Sequence, residues 1–171
     1  GSIYLVRYST GCLLINKLDI EDYICSVLHT ESWPGWTLEV NKALAIACRT
    51  YAATKVLETG KKKKPFHIRN TSKHQTYCGA HHKDILRQAV EETRGVVIGY
   101  DDKPILAMFD GCCGGIVPSQ MEGYNFKKAP YLARPYACEF CKDFKIFSWT
   151  AEFSHKYLEK VLKENLTNLN K

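Results

Sequence analysis

The run Lys42-Ala43-Leu44-Ala45-Ile46-Ala47-Cys48-Arg49-Thr50-Tyr51-Ala52-Ala53-Thr54 constrains this chain more than any other segment. Ala and straight-chain apolar residues favour helix, and a helix this apolar on most sides has to be covered by other elements. Thr37 can cap it and Gly60 can stop it, so the spacing predicts one long, mostly buried helix over 37–60. A chain of 171 residues, 45% of them apolar, is long enough to supply that cover and argues against disorder.

The cover is legible on both sides of the run. Residues 3–15 read as two short strands around a Ser9-Thr10-Gly11 break. Asp19 can cap a helix in which Ile20, Tyr23, Ile24, Val27 and Leu28 share one face. That helix ends near Thr30, because Ser32-Trp33-Pro34-Gly35-Trp36 has to be irregular. Glu31 stands at the junction. Downstream come a short strand over 66–69, a helix over 83–94 ending at Gly95, and a hairpin of 96–100 with 104–109 around Asp101-Asp102-Lys103. Past Asp110 periodicity is lost through a Gly- and Cys-rich region to about residue 142, as in many functional loops. Residues 154–169 carry Tyr157, Leu158, Val161, Leu162 and Leu166 at helical spacing, an amphipathic helix expected to pack on the body. The expectation is a single α+β domain over 3–171 with antiparallel hairpins. Gly1-Ser2 read as a pair left by cloning, so an export signal or anchor is expected upstream of this chain.

No stretch approaches the roughly 20 apolar residues of a membrane helix. The net charge of +6 is moderate, and Lys61-Lys62-Lys63-Lys64 beside Pro65 reads as a solvated loop. No spacing typical of a nucleic-acid module occurs, so nucleic acid is not expected as a partner.

Leu18-Asp19-Ile20-Glu21-Asp22-Tyr23, then Val27-Leu28-His29-Thr30-Glu31-Ser32-Trp33-Pro34, then residues 39–52 with their Lys-Ala-x-Ala-x-Ala-x-Arg-Thr-Tyr-Ala helix resemble the signature of the stage II sporulation protein D family. Gln75-Thr76-Tyr77, Ala89-Val90, Thr93-Arg94-Gly95, Ile105-Leu106-Ala107, Gly114-Gly115 and Pro130-Tyr131-Leu132 continue it in order, so the resemblance spans about residues 3–135. It implies a lytic transglycosylase that cuts denuded peptidoglycan strands between N-acetylmuramic acid and N-acetylglucosamine, leaving a 1,6-anhydro sugar. It also implies action outside the cytoplasmic membrane, at the division septum or during spore engulfment, alongside a cell-wall amidase or engulfment machinery. Glu31 then matches the catalytic glutamate, and Lys42, Arg49, Tyr51, Gln75, Trp33 and Gly114 are expected on the substrate-binding surface. A domain that binds glycan and recruits cell-wall machinery without catalysis is the second reading.

Physical chemistry fits a lone glutamate. Hydrolysing glycosidases use two carboxyls, whereas closure onto the sugar's own hydroxyl needs no separate base to activate water. Glu31 as an acid must begin protonated, and Trp33 and Trp36 are expected to supply an apolar wall that favours that state. Plainer roles compete: a helix-end carboxylate for Glu31, a Lys42 pair with Glu39, and a core position for Tyr51.

Among eight cysteines, Cys12, Cys25 and Cys48 read as small buried residues. Cys112-Cys113-Gly114-Gly115 stands where many family members carry Ser-Gly-Gly, and Cys138-x-x-Cys141 adds two thiols at zinc-ligand spacing. A structural Zn2+ on Cys112, Cys113, Cys138 and Cys141 is expected, with Cys78, His81 or His82 as other ligands and disulfides as the competing outcome; no cofactor is required for the chemistry. His74, Cys78, His81 and His82 form a second candidate cluster. A zinc ion there with an open position would point to a metal-dependent hydrolase.

Overall fold

The computed structural model describes residues 1–9, 11–62, 64–123 and 125–169. It gathers into two units, Gly1–Phe109 and Asp110–Lys171, and the break falls where the sequence loses its periodicity. Helices and small antiparallel strand pairs make it an α+β chain.

In the first unit, β1 (Ser2–Tyr8) and β2 (Gly11–Lys17) form an antiparallel hairpin with Ser2 opposite Lys17 and Tyr8 opposite Gly11. Asp19 caps α1 (Ile20–Glu31) by accepting from the Glu21 N–H at 2.8 Å. The long apolar run becomes α2 (Leu38–Lys61), and α3 spans Asp84–Glu92. These three helices make the core. Ile24, Val27 and Leu28 of α1 meet Ala45, Cys48 and Ala52 of α2 and Leu86, Ala89 and Val90 of α3. Small residues on α2 let both neighbours approach it, while each large aliphatic side chain buried there contributes roughly 1.5–3 kcal/mol.

A polar knot lies inside this apolar packing. Arg49 is 1% exposed and its guanidinium makes a double contact with Glu21, from Nε to Oε1 at 3.0 Å and from a terminal nitrogen to Oε2 at 2.7 Å. Its remaining donors reach the Val90 and Val96 carbonyls and the Thr93 hydroxyl, and Glu21 also accepts from the Gly95 N–H at 3.0 Å. Glu21 and Arg49 thus tie α1, α2 and the exit of α3 together.

The hairpin expected near 96–109 is shorter than its sequence suggests: β3 is Gly99–Tyr100 and β4 is Lys103–Pro104. Asp101 and Asp102 take φ of 53° and 55°, the left-handed turn that suits a two-residue hairpin. Flanking backbone keeps one cross-strand bond, from the Ile105 N–H to the Ile98 carbonyl at 3.1 Å, and is also held by α2, since Thr50 Oγ1 accepts from the Ile98 N–H at 2.9 Å and Thr54 Oγ1 donates to the Ile105 carbonyl at 2.7 Å. The strand expected over 66–69 is irregular chain, followed by one bridge of Asn70 with Gln75.

The second unit has three single 3-10 turns, at Pro118–Gln120, Phe126–Lys128 and Pro130–Leu132, followed by α4 (His155–Leu169). The apolar face of α4 expected to be buried is open to solvent at Tyr157, Leu158 and Leu162. No helix among the described residues is long and apolar enough to cross a membrane.

Candidate active site

Glu31 is the last residue of α1, half-buried, and it is set there by the chain's inability to continue as helix through Ser32 and Pro34. Its Oε1 accepts from the Thr76 N–H at 3.5 Å. The segment carrying Thr76 is fastened beside α1 at several points. Thr30 Oγ1 lies 2.8 Å from the Thr76 carbonyl, the Cys78 N–H donates to Ser26 Oγ at 3.1 Å, and Asn70 brackets Tyr77 by accepting from its N–H at 2.7 Å and donating to its carbonyl at 2.9 Å.

Gln75 is 2% exposed: it donates to the Cys48 carbonyl at 3.2 Å and accepts from the Tyr23 hydroxyl at 3.1 Å. The sequence placed Gln75 on the binding surface; the structure makes it the brace between α1, α2 and the Thr76 segment. Tyr23 and Cys48 sit in this interior near the Glu31 carboxylate. Burial first, then neighbouring charges that include Glu31, raise the Tyr23 hydroxyl well above its ordinary range. Burial and then the Glu31 charge push the Cys48 thiol up to about 12, so both groups stay neutral.

Arg49 is also an interior residue. All its donors are spent within the protein, so it presents none to a ligand. Lys42 stays at the surface, where it pairs with Glu39 at 2.9 Å, as its spacing allows, and also with Glu92 of α3 at 3.2 Å. Tyr51 is half-buried, with the His74 ring edge-on at 6.3 Å and Lys55 Nζ 5.4 Å above its own ring. Trp33 is 63% exposed and Trp36 39% exposed, so the expected apolar wall is an open pair of indoles. Gly114 belongs to the second unit, with a φ of 58° that favours glycine.

One positioning residue escaped the sequence reading. Asn41, 1% exposed, donates to the Trp36 and Thr37 carbonyls at 3.2 and 2.9 Å and takes the Ser32 hydroxyl at 2.6 Å. It therefore shapes the turn that follows Glu31. The only sequence signal was a polar residue at the start of an apolar helix. Concavities in this unit include one of about 430 Å³ along Asp22, Cys25, His81 and Arg87 and one of about 520 Å³ near Cys12, Phe66 and Arg69. Neither is lined by Glu31.

The second metal candidate does not assemble. His81 Nε2 donates to the Cys25 carbonyl at 2.8 Å and its Nδ1 accepts from the Lys83 N–H at 3.0 Å, so both ring nitrogens are occupied, while Cys78 and His82 are exposed. Cys12, expected inside, is exposed on β2, Cys25 is half-buried and Cys48 is fully buried. In the second unit, Cys113, Cys138 and Cys141 bring their sulfur atoms within 4.8 Å of one another. The Gly115 N–H holds the Cys113 thiol below its usual range. At Cys138 and Cys141 the N–H groups of Phe140 and Cys113 act in the same sense, but burial and the adjoining thiols outweigh them and raise both.

Comparison with known proteins places this arrangement. Residues 8–100 match the family model described as stage II sporulation protein, SpoIID, a span that contains Glu31 and every brace around it. The chain belongs to the SpoIID family. Among SpoIID-like relatives, an uncharacterised protein of Brachyspira hyodysenteriae is 37% identical over 133 residues, covering 77% of this chain and 36% of that protein. The amidase enhancer of Bacillus subtilis is 31% identical over 133 residues, covering 78% of this chain and 17% of that protein. This chain therefore spans about a third and about a sixth of those two relatives.

Proposed function

We propose that this SpoIID domain is a peptidoglycan lytic transglycosylase, with Glu31 as its single proton-transfer group, cutting denuded strands between N-acetylmuramic acid and N-acetylglucosamine during septal or engulfment remodelling of the wall. The observation that carries the reading is a half-buried carboxyl at a helix end, oriented by the Thr76 N–H and backed by the braced Tyr23 and Gln75. Glu31 gives its proton to the glycosidic oxygen as the bond from that oxygen to the muramic acid anomeric carbon breaks. As carboxylate it then takes the proton of the 6-hydroxyl while that oxygen bonds to the anomeric carbon, which closes the anhydro ring and restores the acid. Exposed Trp33 offers a flat apolar face to a pyranose ring, and Lys42 and Tyr51 offer polar contacts on the same helical unit. Because peptidoglycan lies outside the cytoplasmic membrane, the domain would work there.

A second reading keeps the glycan contacts and assigns cleavage to a partner. It is favoured by the name of the Bacillus subtilis relative, amidase enhancer. Glu31→Gln separates the two, because it keeps the shape and removes the proton. On the catalytic reading it lowers release of anhydro products, followed by mass spectrometry, by about 10²–10⁴-fold with glycan pull-down retained. Anhydro-product release equal to wild type would overturn the role of Glu31.

A further inference from the structure

The second unit poses a stability problem of its own. No described side chain from Asp110 onward is buried; its residues are half-buried or exposed, and up to α4 its regular structure consists of three short 3-10 turns. Units of about 60 residues without a substantial apolar core ordinarily depend on disulfides or a metal.

The residues that could supply such a staple converge. Cys113 lies just before a Gly114-Gly115 turn, Cys138 and Cys141 are separated by two residues with Cys141 in a turn, and the three sulfur atoms lie within 4.8 Å of one another. Cys112, half-buried and next in sequence to Cys113, is the cysteine nearest in the chain to this trio. Three converging sulfurs with a fourth cysteine adjacent in sequence match the ligand count of a closed tetrahedral thiolate site, whereas a disulfide engages two sulfurs at about 2.05 Å. The Gly115 and Phe140 N–H groups, each two residues beyond its cysteine, lie beside the sulfurs of Cys113 and Cys138. Such donors offset negative charge on thiolate ligands. Arg134, whose guanidinium donates to the Ile116 and Tyr136 carbonyls at 2.8 and 2.6 Å, adds a positive charge near Cys113. Close approach of the loop also needs Gly115, since a Cβ there would lie 3.0 Å from the Phe147 ring at a φ of 74°.

We propose that Cys112, Cys113, Cys138 and Cys141 hold one structural zinc ion that organises the second unit. Four protein ligands leave no open position, so the ion binds no substrate and takes no part in turnover. Soft thiolates choose zinc or iron over magnesium or calcium. The site stands independently of the transglycosylase reading.

The test uses the full chain, purified and kept reduced. Elemental analysis is expected to find about one zinc per chain, falling below about a tenth in Cys138→Ser/Cys141→Ser and unchanged in Cys12→Ser. Exchange of Co2+ into the wild-type chain gives a readout that does not depend on whether a variant folds. Tetrahedral thiolate ligation produces strong sulfur-to-cobalt charge transfer together with intense visible bands. A reduced wild-type chain that takes up neither zinc nor cobalt overturns the proposal. So do zinc retained in the double variant, iron in place of zinc as purified, and a mapped disulfide from Cys113 to Cys138 or Cys141 in the native protein.

Discussion

Glu21 and Arg49 show how much one residue's direction matters. The family resemblance put Arg49 on the substrate-binding surface, yet two directions were open to it: outward to a ligand or inward to a partner. The inward choice follows from Glu21, Thr93 and Gly95, which lie far away in sequence and supply the acceptors and donor of one buried network. Truncating such a pair on one side strands a buried charge, which costs about 3–5 kcal/mol, while replacing both charges by apolar groups costs far less. Arg49→Ala is therefore expected to lower unfolding free energy by about 3–5 kcal/mol in urea titration, with Glu21→Leu/Arg49→Met losing less. If Arg49→Ala melts like wild type and only glycan binding falls, Arg49 faces the ligand after all. Gln75 teaches the same lesson, since its role rests on Tyr23 and the Cys48 carbonyl.

At the scale of elements, α1 and α3 were legible because each carries its own period and stop, Asp19 and Pro34 around α1 and Gly95 after α3, and α2 because its Ala-rich apolar run favours helix; there Thr37 makes no side-chain cap bond and the helix runs through Gly60 to Lys61. The second hairpin was read too long because backbone at Ile98 and Ile105 is bonded to Thr50 and Thr54 of α2, and 66–69 was misread as a strand because Ile68 packs on the helical core without strand pairing. Helix α1 also carries a pH dependence. His29 packs its ring 4.8 Å from that of His81, its Nδ1 is buried without a partner, and its pKa is lowered by burial first and then by Lys83 and His81. A histidine with a depressed folded pKa binds fewer protons than its unfolded counterpart, so its stabilising effect is present above the unfolded value of about 6.5 and is lost as pH falls through the folded pKa. Melting temperature should accordingly fall as pH drops below about 6.5, and His29→Gln should flatten that part of the profile. An unchanged slope in the variant would assign the effect to other groups, with His74, also lowered mainly by burial, the next to replace.

For the molecule as a whole, the two units draw on different sources of order. The first has a nine-residue apolar core across three helices, which the sequence announced through periodicity. The second has no buried side chain among its described residues, and what the sequence announced there was cysteine spacing. Amide exchange distinguishes such cases, because protection follows the free energy of local opening. In the zinc-loaded chain the slowest amides should be those of Ile24, Val27 and Leu28 in α1, Ala45 and Cys48 in α2, and Ala89 and Val90 in α3. Adding a strong chelator under reducing conditions should accelerate exchange in peptides covering 111–117 and 134–142 by tenfold or more, since removing a structural metal removes folding free energy of several kcal/mol, and about 1.4 kcal/mol suffices for a factor of ten. The α1 and α2 amides should keep their rates, because their protection comes from apolar burial and the Glu21–Arg49 network. Uniform acceleration throughout the chain would mean that the ion supports both units, and no acceleration anywhere would mean that turns and half-buried side chains suffice to hold the second unit without it.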